Sequence, residues 1–445
     1  MRCLCTRWSA VIYFNLLVYS LCFRLQSPVE PFLVKQLGGD ELFEKEFGWL
    51  QSLQGFMHGV GALAMGLLMD IWGVRQSFVI CYASTAVSYG ILACATSLPL
   101  LFLSKLPMFL QHGYMLSQAW LSQQTSEEQR PGAFVRVTVF YSIGVALSPW
   151  IGGMISDAAG KYRGAEIATA ATLLSVALCC TLPAEPPGED DAVEGTEPTV
   201  LGKVRGVELK PFLAGSPKGA SMALPSPVAS PMPFRLLGVA KLQSILSRPV
   251  VLLLFALKLG QDAVRTMKDV AFPLVLMTDA GAGVKQVGEA MGLVDLVSTF
   301  LGWSLTAWLS RRLTPSVLVQ ICLAIQGLIL VIAAIFLSEA LAVPATVVKW
   351  ITIVTSVLQN FSGFVQGNVF LVMLTSGVKP EERGTVIGLE HAAGYLPHIA
   401  TPMLSVAFFK TGGAPLVFGS CAMLCVGLIA FTRSKVMPLY VKKGS

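Results

Sequence analysis

Charge is what this sequence has least of. Lysine, arginine, aspartate and glutamate make up 13% of its 445 residues, against about 25% in an ordinary soluble domain. With 54% hydrophobic residues and a mean hydropathy of +0.67, a fold of this chain could not cover itself with polar surface, so most of its solvent must be lipid. Other absences narrow the chemistry. There is no GxxxxGK[ST] loop, so no phosphate cradle of an ATP-driven machine. No metal-ligand spacing and no placeable nucleophile–base pair is present, so no metal, no cofactor and no enzyme activity are expected. No small-x-small cleavage site follows the apolar run after Arg2 and Arg7, which reads as an uncleaved first span. No targeting motif selects one membrane. The net charge of +6 is not a nucleic-acid signal; what matters is where the basic residues fall.

Ten cysteines are present. Cys22, Cys81, Cys94, Cys179, Cys180, Cys322, Cys421 and Cys425 sit in apolar runs and read as buried structural thiols; Cys3 and Cys5 are candidates for acylation. A span needs about 20 mostly apolar residues. Twelve such runs are expected: 9–33, 47–69, 77–96, 99–123, 132–155, 165–182, 249–274, 288–309, 315–337, 345–375, 384–409 and 413–431. The fold class is thus an all-α membrane protein of twelve transmembrane helices in two six-helix bundles, 1–182 and 249–431. Between them, 183–248 is rich in Pro, Gly, Ser and charge, cannot bury a core, and reads as a disordered linker. Residues 432–445 form a basic tail.

Loop charge orients the chain. With both termini cytoplasmic, the inner side collects Arg2, Arg7, Arg75, Arg130, Arg136, Arg311, Arg312, Lys379, Arg383, Arg433 and Lys435, together with the basic residues of the linker. The outer side holds few: Lys35, Lys45, Lys161, Arg163, Lys285 and Lys410.

One corner occurs twice. In 125–153 and 378–404 an acidic pair precedes an arginine (Glu127, Glu128, Arg130; Glu381, Glu382, Arg383), and Pro149 and Pro402 each stand nineteen positions after the arginine. The copies read as equivalent corners of two pseudo-symmetric halves. Between spans two and three lies Gly66-Leu-Leu-Met-Asp70-Ile-Trp-Gly73-Val-Arg75. Gly66 would permit close packing, Gly73 suits a tight turn, and Asp70 could cap a helix or pair with a cation. This stretch resembles the G-x-x-x-D-x-x-G-x-R/K cytoplasmic loop of the major facilitator superfamily, where it stabilises one end of alternating access. Gly144-x-x-x-Ser148-Pro149-x-x-Gly152-Gly153 resembles that family's antiporter motif, with serine in place of one glycine. Small residues at helical spacing let helices approach, and the proline can bend the span. Lys105 fills the slot where the family often has a basic residue tied to proton coupling. From Leu103 through Gly153 the chain looks most like the organic-cation-transporter-like and tetracycline-exporter-like branch.

An ionisable side chain inside a span is costly, so it usually faces a cavity or a partner. Span seven carries Lys258, Asp262, Arg265 and Asp269 at i, i+4, i+7 and i+11, one stripe alternating in sign. Arg24, Glu30, His58, Asp295, Glu390, His391 and His398 are further intramembrane candidates. Arg24 against an acid of span seven is a plausible cross-half pair. His391 and His398 share a face, and histidine exchanges protons near neutrality.

The resemblance implies a secondary transporter that moves a small organic solute by alternating access, expected to be a proton-coupled exporter. It is expected to be a monomer in the bilayer, with protons as a second substrate and no nucleic-acid partner. The alternatives are an uncoupled facilitator or importer and a non-transporting receptor or scaffold. Five bases (Arg24, Lys105, Lys258, Arg265, Lys268) against five acids (Glu30, Asp262, Asp269, Asp295, Glu390) leave the substrate's charge open.

Overall fold

The computed structural model describes residues 7–39, 43–124, 130–183, 246–338, 341, 343–376, 389–390 and 392–436. Nearly all of the expected linker and the last residues of the tail lie outside them. So do Cys3, Cys5, Arg383 and His391, and the side chains of Asp70 and Arg130.

Every regular element among the described residues is helical. In chain order they are α1 (Arg7–Leu25), α2 (Glu30–Gly38), α3 (Phe43–Ala93), α4 (Leu98–Leu103), α5 (Gly113–Gln124), α6 (Arg130–Ala159) and α7 (Arg163–Cys180). The second half supplies α8 (Pro249–Thr278), α9 (Val284–Arg312), α10 (Pro315–Phe336), α11 (Ala345–Ser376) and α12 (Pro397–Phe431). Helices and spans do not map one to one. Gly73, at φ 80°, breaks α3 between spans two and three, a backbone state that costs glycine little. Gly413, at φ 63°, breaks α12 between spans eleven and twelve in the same way. Span one continues from α1 through a turn into α2, and span four is split between α4, a 3-10 turn over Leu106–Leu110, and α5.

Among the described residues, eight stretches are long and apolar enough to cross a membrane, one of them the 44-residue Ala392–Lys435 that holds two spans. The expected spans two, four and seven are not among them, for visible reasons. Span two carries Gln51, Gln54 and His58, span four is broken, and span seven holds the charged stripe. Their polar faces turn inward, while apolar side chains such as Phe300, Leu328 and Met423 are 73%, 62% and 72% exposed on the outside. That is the inversion a lipid solvent imposes.

The halves meet through two equivalent contacts: α6 packs on α9, and the start of α12 packs on the start of α3. Duplication exchanges these pairs, since span five corresponds to eleven and span two to eight. Both rest on glycine. A Cβ on Gly153 would stand 3.0 Å from the Gly288 Cα, and one on Gly48 would stand 3.3 Å from the Val406 Cβ. At this end a single apolar core, including Leu25, Phe47, Val264, Leu274, Val406 and Phe409, runs across both halves. Toward the other end each half has its own core, around Tyr82, Phe78 and Trp120 in the first and Leu254, Phe370 and Leu323 in the second.

Six of the described cysteines are buried, as expected, but Cys94 and Cys180 are exposed. Cys94 directly follows α3 and Cys180 ends α7.

Candidate functional site

The stripe on α8 forms two clusters. Lys258 Nζ lies 3.1 Å from Asp262 and 3.2 Å from Glu390. One to two turns further on, Lys268 Nζ lies 2.6 Å from Asp269 and donates at 2.6 Å to the Asn360 side-chain oxygen on α11. Asn360 in turn donates to Asp295 on α9 at 3.2 Å, and Asp295 accepts from Arg24 on α1 at 2.6 Å. The chain of contacts thus crosses from one half to the other. The expected cross-half pair exists, but Arg24 takes Asp295 of span eight and not an acid of span seven. Asp269 is already held by Lys268 and, at 3.7 Å, by Arg265. Arg265 is the outlier of the stripe: its side chain is 61% exposed, and that ion pair is its one close partner among the described residues.

This network borders a cavity of about 80 Å³ lined by Lys258, Gln261, Asp262, Arg265, Lys268, Gln326, Gln359, Asn360, Gly363, Gln366 and Gly367. The carboxamides of α10 and α11 were not singled out from sequence. Gln359 and Gln366 fall at i, i+7 on α11, with glycines at 363 and 367 on the same side; that spacing was the available signal. The amides are partly satisfied by one another: Gln359 donates to the Gln326 carbonyl at 3.0 Å and Gln366 to the Gln326 side-chain oxygen at 3.3 Å. The Gln261 amide nitrogen is buried with no hydrogen-bond partner. Lys268, 2% exposed, is the hub of the network although it stands beside the stripe in sequence.

A second polar cluster lies wholly in the first half. Lys105, in the break of span four, forms a buried ion pair with Glu30, and Gln51 donates to the other Glu30 oxygen at 2.9 Å. Pro107 has no N–H, so the helix cannot continue unchanged through it. Carbonyls freed by the break find side-chain donors: Ser88 donates to Ser104 O at 2.6 Å, Ser84 to Pro107 O, and Tyr19 to Gln111 O at 2.7 Å. Irregular backbone at membrane depth is tolerated only where protein satisfies it in this way.

Between the clusters lie aromatic and imidazole rings. His58 stacks on Tyr395 at 5.9 Å and meets His112 edge-on at 5.9 Å. His398 lies 3.4 Å from the Thr266 hydroxyl on α8. The partnership expected for His398 with His391 lies outside the described residues. His112 was not anticipated; its position before Gly113 in an apolar run gave no signal.

The motif residues divide by role. Gly144, Ser148 and Gly152 turn one face of α6 onto α1. A Cβ on Gly144 or Gly152 would collide with the Ser20 side chain or the Leu25 carbonyl, and Ser148 donates to the Leu21 carbonyl. Pro149 and Gly153 turn the next face onto α9, where a Cβ on Gly292 would reach within 2.8 Å of the Trp150 Cβ. Arg75 donates at 2.7 Å to the carbonyl of Cys180 at the end of α7, where a cation opposes the helix dipole. Close packing at Gly66 does not occur, because a Cβ there meets nothing within 4 Å. In the turn before α7, outside the spans, burial pulls the Lys161 ammonium below the usual lysine range, and it donates at 2.8 Å to Gln36.

Comparisons with known proteins agree with this architecture. The profile of the Major Facilitator Superfamily matches residues 12–402. Human "Solute carrier family 67 member A1" is 24% identical over 403 residues, 89% of this chain and 85% of that protein. The class G tetracycline resistance protein of Vibrio anguillarum is 30% identical over 129 residues, 29% of this chain and 33% of that protein. Among solved structures, a D-xylose-proton symporter shares the fold with a TM-score of 0.69 at 13% identity, over 96% of this chain and 97% of that one.

Proposed function

The chain belongs to the Major Facilitator Superfamily, a multi-pass membrane transporter and not an enzyme, and from that premise we propose that it moves a small organic solute by alternating access, coupled to protons in the export direction. The moving bodies are 1–182 and 249–431, joined by the linker 183–248 and followed by the tail 432–445.

The observation that carries this reading is the unequal packing of the two ends. One apolar core crosses both halves around Phe47 and Val406, while separate cores serve the halves at the other end. A solute path sealed at one end and bordered by a polar cavity is one of the two states alternation needs. With both termini cytoplasmic, α6 runs outward and its Gly153 contact with Gly288 lies on the outer side. The sealed end is then the outer one.

Coupling requires a group whose protonation favours one state over the other. Asp262 suits that role, because it faces the cavity and its partner Lys258 is shared with Glu390. The test is uptake by everted or reconstituted vesicles under a pH gradient, in which Asp262→Asn is expected to abolish the gradient-driven component. Undiminished uptake removes Asp262 from the mechanism.

The ion pairs favour a second reading, an uncoupled facilitator. Every carboxylate of the network has a cationic neighbour, and over the whole network four cations match four carboxylates. Accumulation that is unchanged when the gradient is collapsed selects this reading.

A further inference from the structure

We propose that the solute carries an anionic head, a carboxylate, sulfate or phosphate, received by Arg265, and a hydroxyl- or amide-bearing body that lies along the carboxamides of α10 and α11. This rests on the transport reading in taking the cavity as the solute site, but it concerns what the cavity binds, not whether the solute moves.

The sign of the wall comes from where the charges sit. The side chains that line the cavity include three cations, Lys258, Arg265 and Lys268, against one carboxylate, Asp262. The carboxylates that balance them, Asp269 and Glu390, are not in the lining, although each reaches a lining cation. The lining is therefore cationic by three to one, although Asp269, 37% exposed beside the 2%-exposed Lys268, stays within reach of solvent. An anion placed in the cavity meets three cations and one carboxylate in its lining.

Arg265 is the receiving group. Its guanidinium donates no hydrogen bond among the described residues, and its one ion pair is long, at 3.7 Å through Nε. The terminal fork is left for a planar or tetrahedral oxyanion, the geometry that arginine matches in a bidentate way. A second unpartnered donor lies one helical turn back, the buried amide nitrogen of Gln261. Opposite, Gln326, Gln359 and Gln366 spend hydrogen bonds on one another. A polyhydroxylated or amide-bearing body can replace those bonds without leaving a buried polar group unmet.

The test uses sets of probes matched in body and differing in charge: glucuronate, glucose and glucosamine, and hippurate with its amide and amine counterparts. The full chain is purified in detergent and its thermal unfolding midpoint is followed against each probe, since a ligand of the folded state raises it. The expected result is a saturable rise with at least one anion and none with its neutral and cationic counterparts. Arg265→Gln is expected to weaken that anion's binding roughly 10- to 100-fold, the worth of a charge-assisted hydrogen-bonded pair. Arg265 is largely exposed, so the variant should fold; Arg265→Lys, keeping charge without the fork, is expected to be intermediate. The proposal is overturned if no anion raises the midpoint, if the neutral or amine member does so equally, or if Arg265→Gln leaves the anion's effect intact. Anion binding in a protein that moves no labelled anion in vesicles would overturn the transport reading and sustain this one.

Discussion

Removing one member of a buried ion pair leaves the other charged and unmatched, which costs more than the pair contributes. Lys105 and Glu30 are such a pair, with side chains 5% and 8% exposed. Lys105→Met is expected to destabilise the solubilised protein by about 3–5 kcal/mol, read as a lowered unfolding midpoint. Adding Glu30→Gln should restore most of the loss, and a double variant as unstable as the single one would show that the charges are not coupled. At this scale the sequence marked the costly residues well, because intramembrane charge is rare enough to stand out. It could not pair them. Lys105 and Glu30 lie 75 positions apart, and Arg24 reaches Asp295 across 271; no helical spacing reports on contacts that the folded bundle creates. Asn360 and the glutamines escaped because a carboxamide is only mildly unusual in a span.

At the scale of elements, α6 is the piece whose sequence best announced its use. Its small residues at 144, 148 and 152 form the surface on which α1 lies. Gly152→Val would drive a branched side chain into the Leu25 carbonyl, and a loss of folded protein corresponding to at least 1–3 kcal/mol is expected. Gly66→Ala is the matched control: with open space around it, stability should hold or rise by about 0.5–1 kcal/mol from helix propensity. If both variants fold equally well, the α6 surface is not tightly packed. The broken span four was not legible, since its apolar composition reads as one continuous helix. The backbone itself shows the break, and serines on α3 meet its freed carbonyls. Ser88→Ala is expected to cost about 1–3 kcal/mol by leaving the Ser104 carbonyl unmatched, again measured by thermal unfolding.

For the whole molecule, the two-fold repetition was legible because both copies of the Arg–Pro corner survive, and it forecast two halves of like design. Which end the halves close was not legible, because packing between halves depends on side-chain fit and leaves no period in the sequence. The closure can be fixed chemically. Cysteines replacing Gly48 and Val406 would have Cβ atoms about as close as a disulfide requires. In a background with the exposed Cys94 and Cys180 replaced, oxidation is expected to stop flux and reduction to restore it. Full flux in the cross-linked protein would rule out opening at that end.

The charges of the central network sum to nothing. Arg24, Lys258, Arg265 and Lys268 are met by Asp262, Asp269, Asp295 and Glu390. In the uncoupled reading, a carrier with this interior returns empty without moving net charge through the membrane field. Loaded with a monovalent anion it carries one charge, worth about 2.3 kcal/mol per 100 mV. The electrical sensitivity of the cycle then resides in its loaded half, and a proton travelling with the anion would erase it.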